Sequence, residues 1–179
     1  MPTHQNFIEK LLDAFDEFSD QKTIAKNQFL IREGQIEKNL FYIETGAVRV
    51  FRLTELEEQT IRFGCRGSLI NSLYSFIKDS PSEFYIETIR KTTVKVMKKE
   101  NLLKLAYGTR ESLIQYVQLL EDLVTQQIER EIDLLTDSPS ERLQRILKRS
   151  PNLFQEIPLK YIASYLRMSP ETLSRIRNS

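Results

Sequence analysis

Histidine and cysteine are nearly missing from this chain, with one of each, and tryptophan is missing altogether. A lone Cys65 rules out an internal disulfide framework, a cysteine-rich zinc site and a cysteine-ligated iron–sulfur cluster. A lone His4, close to the N-terminus, argues against a histidine-based metal centre and against a Ser-His-Asp triad. No apolar run is long enough for a bilayer, and Met1 to Asn6 has no basic stretch ahead of an apolar one. A cytoplasmic, reducing location without membrane contact is therefore expected. A dominant charge is lacking too: 26 Lys+Arg stand against 25 Asp+Glu, a net +1. That balance argues against a general polyanion binder.

What is present is a globular composition of 179 residues, 40% hydrophobic and 28% charged, enough to bury one full domain or two small ones. The charges are unevenly placed: residues 137–179 carry a net +4 and residues 1–136 a net −3. Such asymmetry points to a basic surface with an anionic partner.

Phe7, Ile8, Leu11, Leu12, Phe15 and Phe18 recur at helical steps and predict a helix packed on something larger. From Thr23 to about Val96 the pattern changes to short β-type runs: Leu40–Ile43, Ala47–Leu53, Gln59–Phe63, Phe84–Ile89 and Thr92–Met97. Gly34, Gly46, Gly64 and Gly67 fall between them, which suggests a compact roll with few exposed edges. From Lys99 to about Leu135 the pattern is helical. Leu113, Val117, Leu120, Val124 and Ile128, continued by Ile132 and Leu135, form an apolar stripe of the kind that seeks a second helix. Packing on its own roll is the alternative, and both can hold for different turns.

Ser138-Pro139-Ser140-Glu141 reads as a capping box that opens a new helix, which ends before Pro151. Three domains are expected: a roll over 1–108, a connecting helix over 109–136 and a helical unit over 137–179. In the last, Pro158–Leu166 and Ser169–Ile176 form two short helices joined by Arg167-Met168-Ser169, with Ala163 small at the crossing. This is the helix-turn-helix pattern, whose second helix enters the major groove of DNA. With Leu173 and Ile176 inward, Glu171, Ser174 and Arg175 face outward. Arg175 can donate two hydrogen bonds to guanine, and Glu171 can accept from cytosine. Lys160, Arg167, Ser169, Thr172 and Arg177 are candidates for phosphate contacts. The plain alternative is a surface pair: Glu171 and Arg175 are four residues apart and could simply support their own helix.

The order of roll, long helix and helix-turn-helix resembles the Crp/Fnr family of bacterial transcription regulators, over essentially the whole chain. Glu171-Thr172-Leu173-Ser174-Arg175 is similar to the Glu-x-x-Ser-Arg pattern of the Fnr branch, and Leu40 to Val48 resembles the family's roll signature. Ser169-Pro170-Glu171-Thr172 is similar to members from Bacteroidetes-type bacteria. The resemblance implies an α+β architecture: an N-terminal double-stranded β-roll of jelly-roll or cupin-like type, a dimerisation helix and a DNA-binding domain. It implies double-stranded DNA with palindromic TTGAT-like half-sites, a second copy of the chain and RNA polymerase as partners.

The departures also carry information. Members that bind cyclic nucleotides have a Gly-Glu pair where this chain has Asn71 and Ser72, and an Arg-Ser pair that falls near Phe84 and Tyr85. Without that clamp a cyclic phosphate would be desolvated with little compensation, so neither cAMP nor cGMP binding is expected, and no cofactor. Asn71, Ser72, Tyr74, Phe84 and Tyr85 form a candidate pocket for another effector, with roll core as the alternative. Cys65 has no neighbouring cysteine to resolve an oxidised thiol, which favours an inert role. Many members continue into a β-wing where this sequence stops, so either the branch lacks one or the sequence is shortened. Two other readings remain: a small-molecule-sensing roll acting through protein contacts, and a cupin-like enzyme. The latter lacks the necessary histidines, so a non-enzyme is expected.

Overall fold

The computed structural model describes residues 3–178, with the side chains of residues 3–9 and 18 left out. The expectations for His4, Phe7, Ile8, Phe18 and the final residue therefore lie outside the described parts. Helix α1 (Thr3–Phe18) leads into β1 (Asp20–Ile24), β2 (Phe29–Ile31), β3 (Asn39–Thr45), β4 (Ala47–Leu53), β5 (Glu58–Cys65) and β6 (Leu69–Ile70). Helix α2 (Leu73–Lys78), β7 (Tyr85–Thr88), β8 (Thr92–Lys98) and α3 (Lys99–Tyr107) follow. The chain continues with α4 (Arg110–Leu135), α5 (Pro139–Arg149), α6 (Leu153–Glu156), α7 (Leu159–Leu166) and α8 (Pro170–Asn178).

The strands form two four-stranded antiparallel sheets in the orders β1-β8-β3-β6 and β2-β7-β4-β5. Alternation along each strand sends Ile31, Phe41, Ile43, Val48, Val50, Ile70, Ile86 and Val94 between the sheets as the roll core. The mixed architecture expected from the sequence, a β-roll followed by helices, is the one observed. Gly46 makes the tight β3–β4 turn at φ +92°, where a Cβ would lie 2.5 Å from the Thr92 hydroxyl. Only glycine meets both demands.

Each sheet has its own outer cover. On the first, Leu11, Ala14 and Phe15 of α1 pack with Leu102 and Ala106 of α3, Leu40 and Met97 of the strands, and Phe76 of α2. Tyr116 and Leu119 from the first turns of α4 join this layer. On the second, the C-terminal helices pack: Leu143, Ile146, Leu153, Ile157, Ile162, Ala163, Leu166 and Leu173 are buried together with Ala47 and Ile89 of the roll. Phe63 and Cys65 of β5 lie against the same cluster. Leu173 is fully buried there, so truncation to alanine would cost about 2–5 kcal/mol.

Helix α4 thus shows three faces. Ser112 and Gln115 are buried beside Tyr116 and Leu119 on the roll. Further along, Arg130 and Asp133 are buried against the C-terminal helices. Asp133 takes Arg145 at 2.8 Å and also pairs with Arg149, while Glu129 takes the same two arginines at 2.8 and 3.2 Å. The third face carries the apolar stripe. Leu113, Val117, Val124 and Ile128 are exposed, with Leu120 half-buried between them.

Candidate nucleic-acid interface

Pro158 occupies the position just before α7, whose Ile162, Ala163 and Leu166 are fully buried. The turn closes with Arg167 in the left-handed conformation, φ 55° and ψ 50°, and the Met168 amide bonds back to the Ala163 carbonyl at 3.1 Å. Ser169 then starts α8: its hydroxyl accepts the Thr172 amide at 3.2 Å, and Pro170 takes the first helical position, where no amide is needed. Upstream, Ser138 accepts the Glu141 amide at 3.3 Å and caps α5 as its sequence predicts, although no return bond from the Glu141 carboxylate is seen.

Leu173 of α8 points into the core and Ile176 is half-buried, which turns the opposite side of the helix to solvent. That open side is lined by Pro170, Glu171, Ser174, Arg175 and Asn178. The three residues assigned to bases therefore share one accessible face. The Glu171 carboxyl is held below its ordinary value by its own amide and by the Ser169 hydroxyl, so it is a charged acceptor at neutral pH.

The phosphate candidates are more dispersed. Ser169 and Thr172 sit at the start of α8, their hydroxyls 3.2 Å apart. Arg177 is exposed, with its guanidinium 5.5 Å from the Phe154 ring. Lys160 and Arg167 are exposed but lie beside the roll. Lys160 lines a cleft of about 440 Å³ with Lys26, Asn27, Arg49, Glu58, Glu87, Ile89, Pro158 and Tyr161. Arg167 lies 3.8 Å from Glu57, near the tip of the β4–β5 hairpin.

That seam between roll and helix-turn-helix was not foreseen from sequence. Its centre is Arg49, which bonds Glu58 at 2.6 Å and Glu87 at 2.7 Å and is sandwiched between the rings of Phe51 (4.0 Å) and Tyr161 (4.2 Å). One signal was available: Arg49 interrupts an apolar strand, Ala47-Val48-Arg49-Val50-Phe51, as expected where both strand faces are covered and the charge is paired. Nearby, Ser164 accepts the Thr60 amide at 3.0 Å and donates to the Glu58 carbonyl at 2.9 Å. Arg130 reaches from α4 to the Tyr165 carbonyl and stacks on its ring, and burial lowers the pKa of its guanidinium.

The candidate effector residues lie in different surroundings. Ser72 is buried and shares a 2.7 Å hydrogen bond with Ser82, whose hydroxyl also donates to the Phe84 carbonyl at 2.8 Å. Phe84 packs on the inter-sheet core, whereas Tyr85 lies on the outer face, stacked on Phe51 at 5.1 Å and edge-on to Phe29 at 5.7 Å. Asn71 is half-buried and Tyr74 is exposed on α2. A carboxylate that sequence reasoning passed over lies in this region. Glu37 is only 1% exposed; its amide donates to the Ser75 hydroxyl and its Oε1 accepts the Asn39 amide, both at 2.9 Å. Its Oε2 has no partner. Burial pushes the carboxyl up to about 7, against the opposing pull of the Asn39, Ser72 and Lys38 amides. Burial likewise raises the pKa of the Cys65 thiol, which leaves it little thiolate.

Residues 21–107 match the family described as the cyclic nucleotide-binding domain. Among solved structures, FixK2 from Bradyrhizobium japonicum is similar with a TM-score of 0.75 at 19% identity, over 89% of this chain and 83% of that one. CLP of Xanthomonas campestris, described as a c-di-GMP-responsive global regulator, gives 0.68 at 16% identity over 95% and 90%. The catabolite activator protein of Thermus thermophilus gives 0.58 at 20% identity over 95% and 81%. No curated protein sequence matches the chain. Among the described residues, no helix is long and apolar enough to cross a membrane.

Proposed function

With residues 21–107 matching the cyclic nucleotide-binding domain and 89–95% of the chain similar in fold to Crp/Fnr-type regulators, we propose that this protein is a homodimeric, sequence-specific DNA-binding transcription regulator. The observation that carries this reading is the exposed side of α8, where Glu171, Ser174 and Arg175 stand together over the buried Leu173. A guanidinium and a carboxylate one helical turn apart match the donor and acceptor edges of a C·G pair, and Ser174 is short enough to meet a neighbouring thymine. Lys160, Arg167, Ser169, Thr172 and Arg177 supply phosphate contacts, which set register rather than sequence.

The second copy is supported by α4. Its 26 residues span ~39 Å, and the exposed Leu113, Val117, Val124 and Ile128 form a seam that a single chain leaves in water. Pairing along it would place two recognition helices on successive major grooves, about 34 Å apart on a palindrome. Independence from cyclic nucleotides is supported by the region around α2. Residues 67–89 hold no arginine for a cyclic phosphate, and the Ser72 hydroxyl is already bonded to Ser82.

An electrophoretic mobility shift with a palindromic TTGAT-type duplex tests the reading. The dimer should retain that duplex in the presence of excess scrambled competitor. Failure of an intact dimer to bind it, or any selected sequence, at low salt would refute a DNA-binding role.

A further inference from the structure

The bases and the backbone of a duplex would meet different parts of this helix-turn-helix, and the structure treats those parts differently. The base-reading side of α8 is open. The helix before it is occupied: Ser164 is hydrogen-bonded to β5 through both the Thr60 amide and the Glu58 carbonyl, and Tyr161 covers Arg49. One of the cations proposed to hold phosphates is turned toward a carboxylate of the roll, Arg167 at 3.8 Å from Glu57, while Lys160 borders the cleft whose Glu58 and Glu87 are already paired with Arg49. The turn of the hairpin that supplies Glu57 and Glu58 runs Thr54-Glu55-Leu56-Glu57-Glu58 and holds no basic residue, although Arg49 and Arg52 lie on the strand before it. A carboxylate and a phosphate oxygen make the same demand on a guanidinium or ammonium group. Arg167 cannot serve both at full strength, and a phosphate brought to it would meet the like charge of Glu57.

We propose that the acidic turn of the β4–β5 hairpin is a built-in competitor for DNA, an internal docking surface that withholds Arg167 from duplex phosphates while the domains are closed on each other. The inference rests on the DNA-binding reading above and adds its regulation. Opening the seam releases that phosphate contact and leaves the base contacts of α8 unaltered, so the device tunes affinity and not sequence preference. Apparent affinity is the intrinsic affinity scaled by the open fraction, so any change that loosens the seam tightens binding.

The test uses the full chain and two mild seam variants. Ser164→Ala removes both hydrogen bonds to β5, and Glu57→Gln removes the charge facing Arg167. Glu55→Gln is the control: it makes the same change in net charge on the same hairpin, at a residue with no hydrogen bond or ion pair to the helix-turn-helix among the described residues. Each seam variant should bind a specific duplex about three- to tenfold tighter, with the same gain on a random-sequence duplex. Glu55→Gln should stay within about twofold of the parent. In parallel, amide hydrogen exchange at Thr60 should speed up in Ser164→Ala, since that amide loses its acceptor. Unchanged DNA affinity in the face of faster Thr60 exchange would overturn the proposal, as would unchanged exchange, or a gain in Glu55→Gln equal to that in Glu57→Gln. If parent and variants bind neither duplex at low salt, the DNA-binding reading fails with it. If the parent binds and the seam variants bind equally well, only the competitor role fails.

Discussion

Replacing Glu37 with glutamine should make the protein more stable at neutral and alkaline pH and leave it unchanged in acid. The carboxyl is 1% exposed, and burial raises its pKa from 4.5 to about 7. The native state therefore holds this proton more tightly than the unfolded chain does. Stability contributed by Glu37 is complete below about pH 4.5, falls as pH rises through the interval to about 7, and is flat beyond it. At 1.36 kcal/mol per unit the loss comes to about 3 kcal/mol. Glutamine has the same shape and no charge to desolvate. Its oxygen can keep the Asn39 amide, and its nitrogen would take the place of Oε2, which has no partner to lose. Urea unfolding of parent and variant from about pH 5 to about pH 8, at one fixed protomer concentration so that dimer dissociation cancels, measures the difference directly. The variant should gain steadily on the parent as pH rises toward 7, reaching an advantage on the order of 2–3 kcal/mol. A difference that is constant with pH would show that Glu37 does not ionise in a buried site, and a parent that gains on the variant would reverse the sign of the reasoning.

Other consequences are as open to measurement. Arg175→Ala should cost roughly 1–3 kcal/mol on a specific duplex and relax the preference for guanine at one position, read by competition with single-base variants; a uniform loss on all sequences would reassign Arg175 to a phosphate. Val124→Glu puts a charge in the middle of the exposed α4 stripe and should shift sedimentation from dimer to monomer while far-ultraviolet dichroism stays constant. Calorimetry with cAMP should show no heat of binding, and a micromolar affinity would refute the reading of the region around α2. Cys65, whose pKa burial raises, should react slowly with a thiol reagent at neutral pH and faster when the seam is opened by Ser164→Ala.

The roll and the helix-turn-helix were legible because their signals are local. Period-two runs, the tight turn at Gly46, the capping serines 138 and 169, and Pro170 at a helix start all act within a few residues, and the structure shows each in the role its neighbours imply. Two short helices escaped notice, α2 and α6, of six and four residues, too short for a helical period to repeat. The face assigned to α8 followed from Leu173 and Ile176 alone, since two inward residues orient a helix of nine. The stripe on α4 was ambiguous between roll and partner, and in the structure the contacts of this helix within the chain are made by residues outside the stripe. Tyr116 and Leu119 pack on the roll, Arg130 and Asp133 hold the C-terminal helices, and Leu113, Val117, Val124 and Ile128 remain uncovered.

The sequence by itself determined the roll, the longer helices and their order, the apolar stripe of the long helix and the three residues that share the open side of α8. Its charge count, nearly zero overall but +4 over residues 137–179, already set a basic segment against an acidic remainder. Only the tertiary structure decided what that segment faces. Arg167 stands more than a hundred residues from Glu57 along the chain yet 3.8 Å from it in space, and Arg49 joins Glu58, Glu87 and Tyr161 into one seam. Local propensity sees a few neighbours at a time. Pairing between remote charges depends on which outer sheet face the last helices cover, and that is settled by burial of their shared apolar core against Ala47, Ile89 and Phe63.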